Sequence, residues 1–300
     1  MEVDQEKRIL CVGLLCIDVV TYCNKFPIED SDNRCDEMVW CLGGNACNNV
    51  TVLKQLGSEA DLLTSLARDH TLPLVQSLLR EAAIDPKFCI CRSCCKLPCS
   101  SVIVSLENGL RTILHAPNNL LEPTLEEFAD LVDLSKYSWI HFEGRNFEQT
   151  RKMIDFIGGQ TNKPVVSVEV EKVRPYPTLE QLIPGADVVF MSKDFARNQG
   201  FYDMQSAVKG VGLKYADPTA TLICAWADKG AAAWSSGKLF ESSAFPPDSL
   251  VDTLGAGDTF VAAMLHYLNA GLSVDCCLEN ACKLAGRKCG QRGLFNLVGN

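Results

Sequence analysis

The chain lacks any apolar run long enough to cross a membrane as a helix. The stretch Ile9–Ile17 stops at Asp18, well short of the roughly 20 residues a span requires. No secretory leader is visible, because the opening Met1-Glu2-Val3-Asp4-Gln5-Glu6-Lys7-Arg8 is charged, so the expectation is a cytoplasmic protein. Positive charge is in short supply. Lys and Arg total 28 against 37 Asp and Glu, a net charge of −9, and no long basic run occurs. That balance disfavours a nucleic-acid surface. It leaves nucleotides open, since one phosphate pocket needs only a local positive field.

Several motifs are missing as well. Gly237-Lys238-Leu239 has neither the upstream glycine spacing nor the Ser/Thr of a Walker loop. No G-x-G-x-x-G follows the first apolar run, which disfavours a dinucleotide fold. There is no G-x-S-x-G elbow and no H-E-x-x-H. Repeats, low-complexity tracts and interdomain linkers are also absent, so residues 1–300 read as a single domain with a lid.

Cysteine, by contrast, is abundant, with 16 in all. Cys89, Cys91, Cys94, Cys95 and Cys99 crowd one stretch with no nearby His, whereas structural zinc usually draws on two separated pairs. Without a leader, disulfides are not expected either. The expectation is reduced, mostly buried thiols. Asn49-Val50-Thr51 matches a glycosylation sequon that would stay bare in a cytosolic chain.

Hydrophobic content of 47% with 22% charged residues suits a globular enzyme. Ile9–Ile17 reads as one strand covered on both faces of a parallel sheet, with Asp18 at its carboxyl end either as a turn former or as a ligand-facing acid. From Val19 to Leu42, β-prone pieces (Val19–Tyr22, Pro27–Ser31, Glu37–Trp40) alternate with polar turns and read as antiparallel strands off the main sheet. Gly43-Gly44-Asn45 then opens a helix (Val50, Leu53, Leu56), with Asn45 and Asn48 on one face and suited to hydroxyls. Ala60–Leu66 reads as a strand and Leu72–Ala83 as a helix. Asn108-Gly109, between Ser100–Ser105 and Arg111–His115, is a hairpin signal that would complete the lid.

Alternation then resumes. A helix near Leu125–Leu134 leads to the strand Trp139–Phe142, and a helix at 148–157 leads to the strand Val165–Glu171. The strands Asp187–Lys193, Thr221–Ala227 and Ala231–Trp234 follow, then two helices, to Ala270 and over Val274–Lys288. Successive strands stop at Asp18, Glu143, Arg145, Glu169, Glu171, Lys193 and Asp228, which suggests a polar cleft along one sheet edge.

Near the C-terminus lies Val251-Asp252-Thr253-Leu254-Gly255-Ala256-Gly257-Asp258-Thr259-Phe260. Glycines that admit close approach, followed by helical spacing of Phe260, Met264, Leu265 and Leu268, read as a helix N-terminus that favours an anion. Asp258 is then either a first-turn acid or a proton acceptor beside a phosphate cradle.

Gly43-Gly44-Asn45-Ala46 and Asp252–Phe260 together resemble the two signatures of the ribokinase-like (PfkB) sugar kinases. The likeness runs over nearly the whole chain and is greatest to the ketohexose-phosphorylating members. Trp139–Asn146, Ser167–Lys172, Ser192–Asp194, Cys224–Ala227 and Ala285–Gly290 carry it. The resemblance implies a three-layer α/β/α sandwich with a mainly parallel sheet and a small antiparallel β lid (19–42 and 99–116). It also implies a homodimer in which the lids clasp. Its implied activity is ATP-dependent phosphorylation of D-fructose or a related ketose at the 1-hydroxyl, with Mg²⁺ carried by ATP.

Residue roles follow from the same likeness. Asp18, Gly44, Asn45 and Asn48 would hold the sugar, with Asp30 reaching the partner's sugar. Arg111, Lys193, Ala227, Asp228, Lys229 and Gly230 would border ATP. Gly255, Ala256 and Gly257 would form the anion hole and Asp258 the base. Asp252 and the Leu254 carbonyl would hold a monovalent cation such as K⁺. The chain departs from the family pattern where Lys193-Asp194-Phe195-Ala196 replaces N-x-x-E, and where Leu110 and Leu42 replace a polar and a basic residue.

Overall fold

The computed structural model describes residues 8–171 and 179–298. The charged start Met1–Lys7, and Lys172 at the end of one family-like stretch, lie outside the described residues. The first third of the chain runs β1 (Ile9–Val12), β2 (Cys16–Cys23), β3 (Glu37–Gly43), α1 (Asn45–Gln55), β4 (Ala60–Ala67), α2 (Leu72–Glu81) and β5 (Cys89–Arg92). Next come β6 (Cys99–Ser105), β7 (Arg111–Ala116), α3 (Leu125–Leu131), β8 (Trp139–Glu143), α4 (Phe147–Gly158), β9 (Val165–Val170) and β10 (Val188–Ser192). The last third holds α5 (Lys193–Asn198), α6 (Met204–Tyr215), β11 (Thr221–Ala225), β12 (Ala231–Ser235), β13 (Lys238–Ser242), α7 (Ala256–Asn269) and α8 (Val274–Cys289).

A nine-stranded sheet in the order β13-β12-β11-β10-β9-β8-β1-β4-β5 forms the middle layer. It is parallel from β11 to β5, and the β12–β13 hairpin is added antiparallel at one edge. Alternate residues of one strand feed two separate cores, as the pleat requires. Ile9 and Cys11 of β1 face the core made with α1, α2, α7 and α8. Leu10 and Val12 face the core made with α3, α4, α5 and α6. Helices on both faces thus bury the sheet, giving the expected three-layer sandwich.

A second sheet, in the order β3-β2-β6-β7, stands apart. Its outer pairs are antiparallel and its middle pair, β2 with β6, is parallel. Val20, Tyr22, Val102 and Val104 form its buried face against Leu254. Its other side leaves Met38, Trp40 and Leu114 exposed.

The run Ile9–Ile17 is not one strand. β1 ends at Val12, the chain crosses at 13–15, and β2 starts in the small sheet at Cys16. A side chain at Gly13 would meet the Glu143 Cβ at 2.6 Å, and the Leu14 amide donates to Glu143 Oε2 at 2.8 Å. Both segments are buried, so hydropathy stays uniform across a change of sheet. Asp18 therefore lies within β2, opposite Cys41 of β3 and Ser100 of β6, not at the end of a core strand.

Pro27–Ser31 is an exposed loop and not a strand. The cysteine cluster is less buried than expected: all five are free thiols, but Cys91 and Cys94 are exposed and Cys89, Cys95 and Cys99 half-buried. Cys89 and Cys91 lie on β5, an edge strand, and Cys94 and Cys95 lie in the loop that follows it. Among the described residues no group of three or more His, Cys, Asp or Glu is placed to hold a metal ion. None of their helices is long and apolar enough to cross a membrane.

Candidate active site

Packing of α1 on α7 brings the two glycine motifs together. Gly44 precedes α1 at φ +96°, and a side chain there would stand 2.3 Å from the Leu14 carbonyl oxygen. One turn on, Asn48 Nδ2 donates to Asp258 Oδ2 at 2.6 Å, and Asn49 Nδ2 donates to the Asp258 carbonyl at 2.9 Å. The Asp258 carboxylate is thus aimed by a neighbouring helix. Asn45 turns elsewhere, donating to Glu171 Oε2 at 2.8 Å and Glu169 Oε2 at 3.2 Å. The amides expected to meet hydroxyls already grip carboxylates.

Those carboxylates belong to a group at the carboxyl ends of β8 and β9. Burial pushes the Glu169 carboxyl well above the usual carboxylate range, and the charges of Glu171, Asp258 and Glu143 push it further. Glu143 accepts from the Leu14 and Ala46 amides at 2.8 and 3.3 Å. It also accepts from Arg145 Nη1 at 3.2 Å, and Arg145 in turn holds Glu122 with two contacts of 2.8 Å. Glu143 therefore fixes both the crossing into the small sheet and the start of α1. From sequence, Glu143, Glu169 and Glu171 are legible as charged strand ends within family-like stretches, but they carry no role there.

Asp18 is buried on β2 beside Cys16, whose Sγ donates to Asp18 Oδ1 at 3.4 Å. A Cβ on Gly43 would lie 2.3 Å from the Asp18 carboxyl carbon, so the glycine makes room for that carboxylate. Burial, then the Asp18 charge, raises the nearby Cys41 thiol to about 12. Asp30 sits in an exposed loop at φ +57°, and the fold does not bring it to the carboxylate group of its own chain.

Gly255, Ala256 and Gly257, expected to form an anion hole, stand at the start of α7. Gly255 is left-handed at φ +76°, and the Ala256 amide turns back to the Thr253 carbonyl at 3.3 Å. A Cβ on Gly257 would meet nothing within 4 Å, so the first turn opens on free space. Helix N-terminal amides and the dipole favour an anion there. Arg111, exposed at the start of β7, reaches Thr253 Oγ1 at 3.2 Å. Lys193 follows β10 directly, and exposed Ala227–Lys229 turn after β11 to Gly230 at φ +99°. Both lie on the same sheet edge as Glu143 and Glu169, where open α/β sheets bind ligands.

Asp252 is fully buried and fully engaged. Lys288 Nζ donates to its Oδ2 at 2.9 Å and its carbonyl at 2.8 Å. The Leu254 amide donates to Oδ1 at 2.8 Å, and the Gly293 amide and Tyr22 hydroxyl reach Oδ2 at 3.3 and 3.4 Å. Burial lowers the Lys288 pKa, and Asp252 opposes that effect. Where a monovalent cation is expected against Asp252, the ligand is an ammonium. Lys288 lay within a family-like stretch of the sequence but carried no role there.

The profile of the pfkB family of carbohydrate kinases matches residues 6–297. The chain belongs to that family. Mouse (Mus musculus) ketohexokinase is 41% identical across 98% of this chain and 100% of its own length. The same fold occurs in ribokinase from Giardia lamblia, with a TM-score of 0.82 at 16% identity over 97% of this chain and 96% of that one. It occurs again in ribokinase from Cryptococcus neoformans var. grubii serotype A in complex with ADP, with a TM-score of 0.76 at 16% identity over 97% and 95% of the two chains. A mostly parallel sheet between helix layers, with a separate small sheet, is the ribokinase-like arrangement. In this family member the two signatures meet at the Asn48–Asp258 hydrogen bond.

Proposed function

We propose that this carbohydrate kinase is an ATP-dependent ketohexokinase that phosphorylates D-fructose, or a related ketose, at the 1-hydroxyl. The observation that carries the reading is Asp258, oriented by Asn48 at 2.6 Å and one residue from the open turn at Gly257. Identity of 41% to a ketohexokinase over nearly the full length supports the substrate class.

In this reading Asp258 accepts the proton of the attacking hydroxyl as the new P–O bond forms. The first-turn amides of Gly255, Ala256 and Gly257 receive the transferring oxygens; the Ala256 amide must first leave the Thr253 carbonyl. Loss of one such donor costs about 3–4 kcal/mol. Phosphoryl transfer depends on alignment and charge stabilisation more than on covalent help, which suits a site built of hydrogen bonds. Asp18, Gly44, Asn45 and Asn48 line the sugar side, and Arg111, Lys193 and Ala227–Gly230 the nucleotide side.

Mg²⁺ fits the chemistry of the donor set. Glu169 and Glu171 offer hard oxygen ligands, and their crowding is relieved by a cation. Bound with ATP, the ion would neutralise phosphate charge. An ion carried by the nucleotide needs few protein ligands.

The small sheet (19–42 and 99–116) acts as a lid on a single kinase domain spanning 1–300. Its exposed Met38, Trp40 and Leu114 form the contact of a homodimer, and Asp30 on the adjoining loop reaches toward the partner's sugar. Sixteen cysteines without a disulfide suit a reducing compartment such as the cytoplasm.

The test is a coupled ADP-release screen over ketoses, aldoses and nucleosides with Mg²⁺ and K⁺ present. Fructose-dependent release is expected. Turnover with ribose or adenosine but not fructose would keep the family and overturn the substrate. Calorimetric binding of fructose without transfer under any metal condition would make the chain a non-catalytic relative.

A further inference from the structure

Lys288 ends a buried chain of contacts that leads to the anion hole. Its ammonium has three protons, and three carbonyl or carboxylate oxygens lie around it: Asp252 Oδ2 at 2.9 Å, Asp252 O at 2.8 Å and Gln291 O at 3.4 Å. Neither partner of the ion pair reaches solvent, each side chain being 0% exposed. The second carboxylate oxygen of Asp252 takes the Leu254 amide, and Leu254 is the residue before Gly255. On the other side, the Val251 and Asp252 amides both donate to the Cys289 carbonyl at 2.8 and 3.2 Å. The end of α8 is thereby tied to the loop that begins α7.

A monovalent metal ion beside this loop needs the oxygens that Lys288 holds. A second cation at the same carboxylate would meet the ammonium at short range in a dry environment, where like charges repel most strongly. The donor set around Asp252 therefore does not fit K⁺.

We propose that Lys288 is a built-in monovalent cation and a positioning residue: it fixes Asp252 and, through the Leu254 amide, the turn that enters Gly255–Gly257, and no metal ion binds at Asp252. It acts through Asp252 and does not touch the reacting atoms. The inference rests on the reading of Gly255–Gly257 as the anion hole, but its first test does not.

Crystals of the full chain soaked in Tl⁺, whose anomalous scattering marks K⁺-type sites, give that first test. The expected result is no peak within coordination distance of the Asp252 carboxylate in the parent. In Lys288→Ala a peak is expected at the vacated ammonium position. A Tl⁺ peak against Asp252 in the parent would overturn the proposal, whether or not the chain turns over fructose. The second test is kinetic: Lys288→Ala should lose at least tenfold in kcat, and methylammonium or ethylammonium should restore part of it. Unchanged kcat in Lys288→Ala would also contradict the proposal. If that variant does not fold, Lys288→Arg keeps the charge and should retain activity, while the parent crystal alone still decides the metal question.

Discussion

At the scale of single residues, the proposed chemistry rests on Asn48 and Asp258. A hydrogen bond to a charged group contributes about 1.5–3 kcal/mol, so Asn48→Leu should cut kcat about ten- to a hundredfold. Steady-state kinetics would show whether the loss sits in kcat, as an aiming role for Asn48 requires, or in the sugar KM alone. His141 gives a prediction about stability. It is fully buried, its Nδ1 lies 2.8 Å from Ser167 Oγ, and burial lowers its pKa from 6.5 to about 3. A base whose folded pKa is depressed binds fewer protons folded than unfolded. Its contribution is complete above pH 6.5 and is lost as pH falls from there toward 3. The slope is about 1.4 kcal/mol per pH unit. Calorimetric melts between pH 7 and 5 should fall less steeply for His141→Leu than for the parent. Little of this was legible beforehand. The sequence places Asn48 on a helix face with Asn45, but whether an amide meets a sugar or a carboxylate depends on a partner 210 positions away.

At the scale of elements, the start of α7 separates stability from function. A methyl at Gly257 meets nothing within 4 Å, and Ala exceeds Gly in helix propensity by roughly 1 kcal/mol. Gly257→Ala should therefore keep or raise the melting temperature while lowering kcat by roughly tenfold or more, because the methyl enters the phosphate's space. A thermal melt and a rate measured on the same sample check both halves. Elements with strong periodicity were visible in the sequence: α7, α8, the Asn108-Gly109 hairpin and the core strands all stand close to where their patterns put them. Others were hidden for physical reasons. The interior glycines Gly210 and Gly212 weaken the helix signal of α6, and β5 lies inside a cysteine-rich stretch. The β1-to-β2 crossing is invisible to hydropathy because Glu143, far along the chain, satisfies the amide at the break.

For the whole molecule, the three layers follow from the family resemblance, and a mainly parallel sheet was readable from the alternation of strands and helices. The burial of Asp252 against Lys288 was not, because neither motif nor spacing pairs a loop with the end of the last helix. The apolar outer side of the small sheet leads to a further prediction. Trp40 and Leu114 are 50% and 65% exposed, and the proposed lid-to-lid dimer covers them. Trp40→Glu with Leu114→Glu should shift sedimentation from dimer to monomer without unfolding the main sheet. A parent that sediments as a monomer at assay concentrations would remove the dimer from the account.

ADP release from Mg²⁺-ATP with D-fructose, compared between the parent and Asp258→Asn, bears most directly on the central claim. The account predicts fructose-dependent release by the parent and a loss of about 10²–10⁴-fold in the variant, with the melting temperature nearly unchanged. Release that does not depend on fructose, or an Asp258→Asn variant as fast as the parent, would contradict it.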